Sequence, residues 1–182
     1  KGLTRKTTLT IDTLAGVKAH TLAVADGRVT SVTVDMGQPQ VGQPVSLTAA
    51  GQTFSLWPVD MGNPHAVIFV PDAGAVDLER LGPEVETHPY FPNRTNTEFV
   101  QVLDRCRLAL RVWERGSGAT LACGTGACAA LAAGVRAGYA DREVQAELPG
   151  GTLQLRWNEQ DNHIYMTGPA ETVFEGTWEG GL

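Results

Sequence analysis

The first third of the chain alternates. TLTIDTLAG (8–16), HTLAVADGRVTSVTVDM (20–36) and PVSLTA (44–49) set apolar and β-branched residues at every second position, the period of a pleated strand. Asp26-Gly27 divides the second stretch as a two-residue hairpin turn, and Gly37, Pro39, Gly42 and Pro44 punctuate a loop before the third. SLWPVDMGNPHAVIFV (55–70) predicts an interrupted strand, a turn at GNP and a second strand. VDLERLGPEVETHP (76–89) predicts a short helix broken at Gly82-Pro83. TEFVQVLDRCRLALRVWERG (97–116) returns to strands around a turn near Asp104-Arg105, with Cys106 in the strand pattern. From about Thr125 to Ala137 runs a helix of Ala, Leu and Val, closed by Gly138 where a left-handed glycine belongs. Pro149-Gly150-Gly151 then turns one strand into TLQLRW (152–157), and HIYMTGPAETVFEG (163–176) follows. The class is α+β, a mostly antiparallel sheet with one prominent helix.

Composition narrows what such a domain can do. A chain of 182 residues makes one large domain or two small ones. A formal net charge of −6 leaves no basic stripe for a phosphate backbone, so nucleic acid is excluded as a partner. The apolar runs, such as AVIFV at 66–70, are strand-sized and far short of a membrane span. There is no signal-peptide pattern, and the chain opens on Lys1. Three cysteines, Cys106, Cys123 and Cys128, make neither a disulfide framework nor a zinc signature, so no metal is expected and free thiols in a reducing cytoplasm are.

One of those thiols is placed unlike the others. In ERGSGATLACGTGACAA (114–130), Cys123 precedes a Gly124-Thr125-Gly126 turn that opens the Ala-rich helix. The first amides of a helix lack intrahelical partners and favour an anion, and glycines let a ligand approach the backbone. The same field is expected to depress a thiol pKa. The turn therefore predicts a cradle for a carboxylate beside an activated sulfur. The bland alternative is a small buried hydrophobe, and Cys106 and Cys128 keep that reading. Alone, GNPH (62–65) is a turn with a histidine, Glu114-Arg115 a solvated ion pair and Asn96 a turn residue.

Together, GNPH (62–65), FPNRTNTEF (91–99), ERGSGAT (114–120) and LACGTGACAA (121–130), with the softer VDMG (34–37) and LPGG (148–151), resemble the diaminopimelate epimerases in order and context along essentially the whole chain. The resemblance implies cofactor-independent inversion of an amino-acid α-carbon by two cysteines on opposite faces. LL- and meso-2,6-diaminopimelate interconvert, feeding lysine and peptidoglycan synthesis. It implies two pseudo-symmetric halves, each a sheet wrapped around a central helix, and admits a homodimer. Carried over by motif, Cys123 is the catalytic cysteine of the C-terminal half and His65 assists acid–base transfer. Glu114 stands near the substrate ammonium and the thiols. Gly124 and Thr125 offer amides to the reacting carboxylate, while Asn63, Asn96 and Arg115 grip the far end of the substrate.

The chain departs from the family pattern twice. Ala119 stands where the family often has Glu, and no ACGNG-type motif with the first catalytic cysteine is present. The chain is therefore expected to begin inside the N-terminal half. Residues 1–24 would be remnant strands of that half, 25–168 the C-terminal domain, and 169–182 a strand returning to the N-terminal half. The isolated chain is then expected to be inactive. Rival readings are a proline-type racemase or phenazine-pathway isomerase, a non-catalytic amino-acid-binding module, and a Cys-His hydrolase.

Overall fold

The computed structural model describes residues 4–13 and 16–180. Its early strands are β1 (Thr8–Thr13), β2 (Gly16–Ala25), β3 (Arg28–Asp35), β4 (Gln40–Val41), β5 (Val45–Ala49), β6 (Gln52–Asp60) and β7 (Pro64–Phe69). Helix α1 (Leu78–Glu86) leads to β8 (Asn96–Asp104), β9 (Arg107–Glu114) and β10 (Gly118–Thr120). Helix α2 (Gly124–Ala137) is followed by β11 (Glu143–Leu148), β12 (Gly151–Trp157) and β13 (Ile164–Gly168). Among the described residues these strands form one sheet, in the order β1-β2-β3-β13-β12-β11-β9-β8-β7-β6-β4, with β10 on β9 and β5 on β6.

Pairing is antiparallel except for β7 with β8 and β9 with β11. A parallel pair cannot be closed by a tight hairpin and needs a crossover, and the two helices are those crossovers: α1 joins β7 to β8, and α2 joins β9 to β11. Each covers its own core. Around α2 gather Val59, Val67, Val100, Leu108, Leu110, Val112, Leu155 and Ile164. Around α1 gather Leu56, Ala66, Ile68, Leu81, Val85 and Phe99. Residues 126–134 of α2 are buried without a break, which a helix achieves only when small side chains let strands approach from all sides. The α+β expectation of a mostly antiparallel sheet around a central helix holds.

Several local expectations are corrected. Helix α1 is not broken at Gly82-Pro83. Asp77 caps it through its carboxylate to the Arg80 amide, and past Pro83, which removes one amide from the ladder, the Thr87 amide still donates to the Pro83 carbonyl at 3.1 Å. Gly82 is there for packing, since a Cβ would collide with the indole of Trp113. Cys106 is not in a strand but in the turn between β8 and β9, exposed, with its sulfur 3.8 Å from Asp141 Oδ2. Residues 169–180, expected to form a strand returning to the N-terminal half, pair with no described strand and leave Val173, Phe174 and Trp178 exposed, and 181–182 lie outside the described residues. A period-two pattern makes a strand only where an edge accepts its amides and carbonyls. The unit expected over 1–24 includes residues 1–3 and 14–15, also outside the described residues. Its β1 and β2 extend the sheet beyond β3 as a largely exposed meander.

Candidate active site

Period two brings the chemistry to one end of the sheet. His65, Val67 and Phe69 follow one another on one face of β7, and Glu98, Val100 and Val102 do so on β8. Leu108, Leu110, Val112 and Glu114 do the same on β9. The apolar members pack on α2, so the polar ones stand on the same side where the strands begin or end. His65 and Asn96 are register partners at the starts of the parallel pair, and Glu114 closes the antiparallel neighbour.

Helix α2 opens at that end. Cys123 is its N-cap in extended conformation (φ −138°, ψ 110°) and makes no side-chain cap. The first intrahelical bond runs from the Ala127 amide to the Cys123 carbonyl at 2.9 Å, so the amides of Gly124, Thr125 and Gly126 precede it. The Gly126 amide lies close enough to the Cys123 sulfur to favour its thiolate without closing a cap. The preceding loop is held by the LPGG turn: the Gly150 amide donates to the Leu121 carbonyl at 2.7 Å, where a Cβ on Gly150 would be 3.0 Å from that oxygen.

A continuous polar chain leads from the thiol into the sheet. Cys123 Sγ is 3.6 Å from Thr125 Oγ1, and the Asn63 amide nitrogen is 3.4 Å from the same hydroxyl. Asn63 Oδ1 lies 3.1 Å from His65 Nε2, and His65 Nδ1 lies 2.7 Å from Glu98 Oε1. A second group holds the rim. Asn96 donates to the Pro64 carbonyl at 3.0 Å and accepts the Arg115 amide at 2.9 Å, tying the GNPH turn to the ERG loop. The exposed Arg115 guanidinium donates to the Asn93 carbonyl at 3.1 Å, and Glu114 accepts the Thr120 hydroxyl at 2.6 Å. Every residue singled out from the sequence thus falls into one cluster, with Ala119 outside it on exposed β10 in register with Trp113.

Two residues in the cluster's support were not singled out. Glu86, buried at the end of α1, accepts the Gly116 amide at 3.0 Å and the Trp113 indole at 2.7 Å, fixing the loop that carries Arg115. Glu98 is fully buried behind His65. Neither carried a distinguishing signal in the sequence: Glu86 stands in PEVETH (83–88) among polar residues, and Glu98 in TEFV (97–100) reads as the exposed phase of a strand. Among the described residues no group of three or more His, Cys, Asp or Glu side chains is placed to hold a metal ion.

The expected low-pKa thiol is overturned. Burial pushes the Cys123 thiol up to about 11, and the Glu98 carboxylate adds to the rise. Thr125 and the Gly126 amide pull it down without prevailing, and Glu114 raises it again. The helix mouth is outweighed because Cys123 is only 7% exposed and faces two carboxylates. Cys128, fully buried in α2, is pushed up further by desolvation. Cys123 alkylation by iodoacetamide is therefore expected to keep accelerating to about pH 11. Because the folded thiol holds its proton above the ordinary thiol range, its contribution to stability is full below that range. It is lost as pH rises toward about 11. Alkylation rates followed by peptide mass spectrometry, with urea midpoints across the same pH series, check both; a plateau near pH 8.5 would contradict them.

The sheet wrapped around α2 is a fold shared with solved epimerase, racemase and isomerase structures. A hydroxyproline epimerase from Agrobacterium vitis superposes with a TM-score of 0.69 at 17% identity, over 90% of this chain and 57% of its own. A phenazine biosynthesis protein of the PhzF family from Bacillus anthracis superposes at 0.65 and 17%, over 92% and 67%. At those identities the likeness is one of fold. Sequence is more particular. The diaminopimelate epimerase family profile matches residues 58–173. Diaminopimelate epimerase of Acetivibrio thermocellus is 47% identical over 97% of this chain and 68% of its own length. That of Phocaeicola vulgatus is 48% identical over 98% and 68%, and diaminopimelate epimerase 1 of Nostoc is 51% identical over 97% and 67%. The chain belongs to the diaminopimelate epimerase family.

Proposed function

We propose that the chain carries one face of a PLP-independent epimerisation of LL-2,6-diaminopimelate to the meso isomer. The observation that carries this reading is the Cys123 thiol, protonated at neutral pH and set at the mouth of α2 among Thr125, Asn63 and two carboxylates. The substrate's reacting carboxylate would lie on the Gly124 and Thr125 amides, which brings its α-carbon to the sulfur. A base on the opposite face takes the α-proton, breaking that C–H bond. The electron pair left on carbon takes the Cys123 proton, forming the inverted C–H bond and leaving a thiolate to be reloaded. Carbanion character is offset by the helix N-terminus at the carboxylate. Glu114 and Glu98 favour the α-ammonium, and His65 stands one residue from the thiol relay through Asn63. At the far end the planar Arg115 fork suits a second carboxylate, and Asn96, which accepts the Arg115 amide, fixes the loop that carries it, with Asn63 assigned to the same end by the family motif. Three free thiols agree with a cytoplasmic setting.

Calorimetry tests the substrate class. The chain should take up diaminopimelate, with two zwitterionic ends, in preference to L-proline, with one. Arg115→Lys should weaken the former roughly ten- to hundred-fold, the worth of a charge-assisted bond of about 1.5–3 kcal/mol. Equal uptake of proline, or an unchanged affinity in Arg115→Lys, would place the chain with another isomerase chemistry.

A further inference from the structure

Glu98 is the buried acid whose placement the family motifs leave unexplained. It sits on central strand β8, its side chain 0% exposed, with Oε1 2.7 Å from His65 Nδ1. The other oxygen, Oε2, is buried with no hydrogen-bond partner among the described residues. A carboxylate kept in that state is a poor packing choice, since an apolar side chain of similar volume would fill the strand position without stranding an acceptor. The helix mouth is brought directly onto it. A Cβ at Gly126 would lie 2.6 Å from Glu98 Oε1 and 3.2 Å from Cys123 Sγ, so glycine at this position is what lets carboxylate, helix turn and thiol meet. On the other side, the bond to Nδ1 turns His65 Nε2 toward Asn63, and through Asn63 to Thr125 and Cys123.

We propose that Glu98 is a positioning residue of the proton-transfer centre: it locks the His65 ring through Nδ1 and sets a carboxylate behind the Cys123 sulfur across Gly126. This deepens, and rests on, the reading of Cys123 as the proton-transfer group. The groups facing that sulfur are Glu98 from β8, Glu114 from β9, Cys128 one turn along α2, and His65 from β7 through Asn63 and Thr125. Met166 of β13, against Gly124, is uncharged.

The test is the pH profile of iodoacetamide alkylation at Cys123, read in a Cys106→Ser background so that the exposed thiol is silent. Glu98→Gln keeps the shape and the acceptor and removes the charge. It should move the profile to lower pH by about one unit, about tenfold more thiolate at neutral pH. Glu98→Asp, which keeps the charge, should stay near the parent profile. A Glu98→Gln profile that superposes on the parent, or a Glu98→Asp profile displaced as far as Glu98→Gln, would reduce Glu98 to a strut and overturn the proposal. Urea unfolding establishes that each variant is folded. Should Glu98→Gln not fold, nitrogen-15 NMR of the parent chain decides, with a slowly exchanging proton expected on His65 Nδ1 and a bare Nδ1 overturning the lock. Alkylation needs no substrate, so a chain that fails to bind diaminopimelate would sink the functional reading and leave this result standing.

Discussion

Cys123→Ala is expected to cut epimerisation of diaminopimelate by the epimerising enzyme on the order of 10²–10⁴-fold or more, the contribution of a positioned acid–base group. The fold should stay near native. Cys123 makes no side-chain cap on α2, and its extended backbone conformation suits alanine equally well. Its side chain meets the Thr125 hydroxyl only at a long 3.6 Å. Cys128→Ala should behave in the opposite way. That sulfur is wholly enclosed in the α2 core, so its loss leaves a small void and costs about 1 kcal/mol of stability, with turnover retained. Cys106→Ala, at an exposed turn, should change neither. The contrast between Cys123 and Cys128 separates chemistry from packing, since both are buried and only one faces the Thr125–Asn63–His65 relay. Turnover within a few-fold of the parent in Cys123→Ala, measured by chiral chromatography beside the urea midpoints, would remove Cys123 from the reaction.

The meeting of these residues was legible only through the motifs shared with the family, since alternation by itself left them as turn and surface residues. His65, Asn96 and Glu114 stand at strand ends that the alternation already marks, and Gly124-Thr125-Gly126 marks the helix mouth. Glu98 escaped because TEFV alternates like a half-exposed strand, in which a glutamate is assigned to water. β8 has helix α1 on one face and α2 on the other, so its polar phase is a second interior. That fact belongs to the crossovers and is invisible in any window of the strand. The Cys123 thiol misled for a related reason. Helix position is local and legible, whereas burial and the two carboxylates that outweigh it arrive from β8 and β9. Gly82-Pro83 reads as a break in a helix considered alone, but the glycine answers to Trp113 across the packing. Over 169–180 the strand pattern is present, but no described strand offers it an edge.

The 182-residue chain by itself is expected to form no meso isomer from LL-diaminopimelate. Inversion needs an acceptor on one face of the α-carbon and a donor on the other, each within hydrogen-bond reach. Cys123, Glu98, Glu114 and His65 all stand on the α2 side of the sheet, so they address one face. The other thiols do not serve the second. Cys128 is enclosed, and Cys106 lies at the far end of β9 from Glu114, about 25 Å away at 3.3 Å per residue. Nor is Cys123 a ready base: at neutral pH a thiol pushed up to about 11 holds its proton, so even exchange of the α-hydrogen with retention should be slow. The chain spans 68% of the length of relatives such as that of Acetivibrio thermocellus, and supplying the remaining portion of such a relative should restore turnover by closing the site with a second thiol. Incubation of the pure LL isomer in D₂O, followed by chiral chromatography and proton NMR, reads inversion and exchange separately. Meso product from the chain alone would mean that His65 or Glu114 can reach the opposite face, and the two-thiol mechanism would have to be abandoned for this protein.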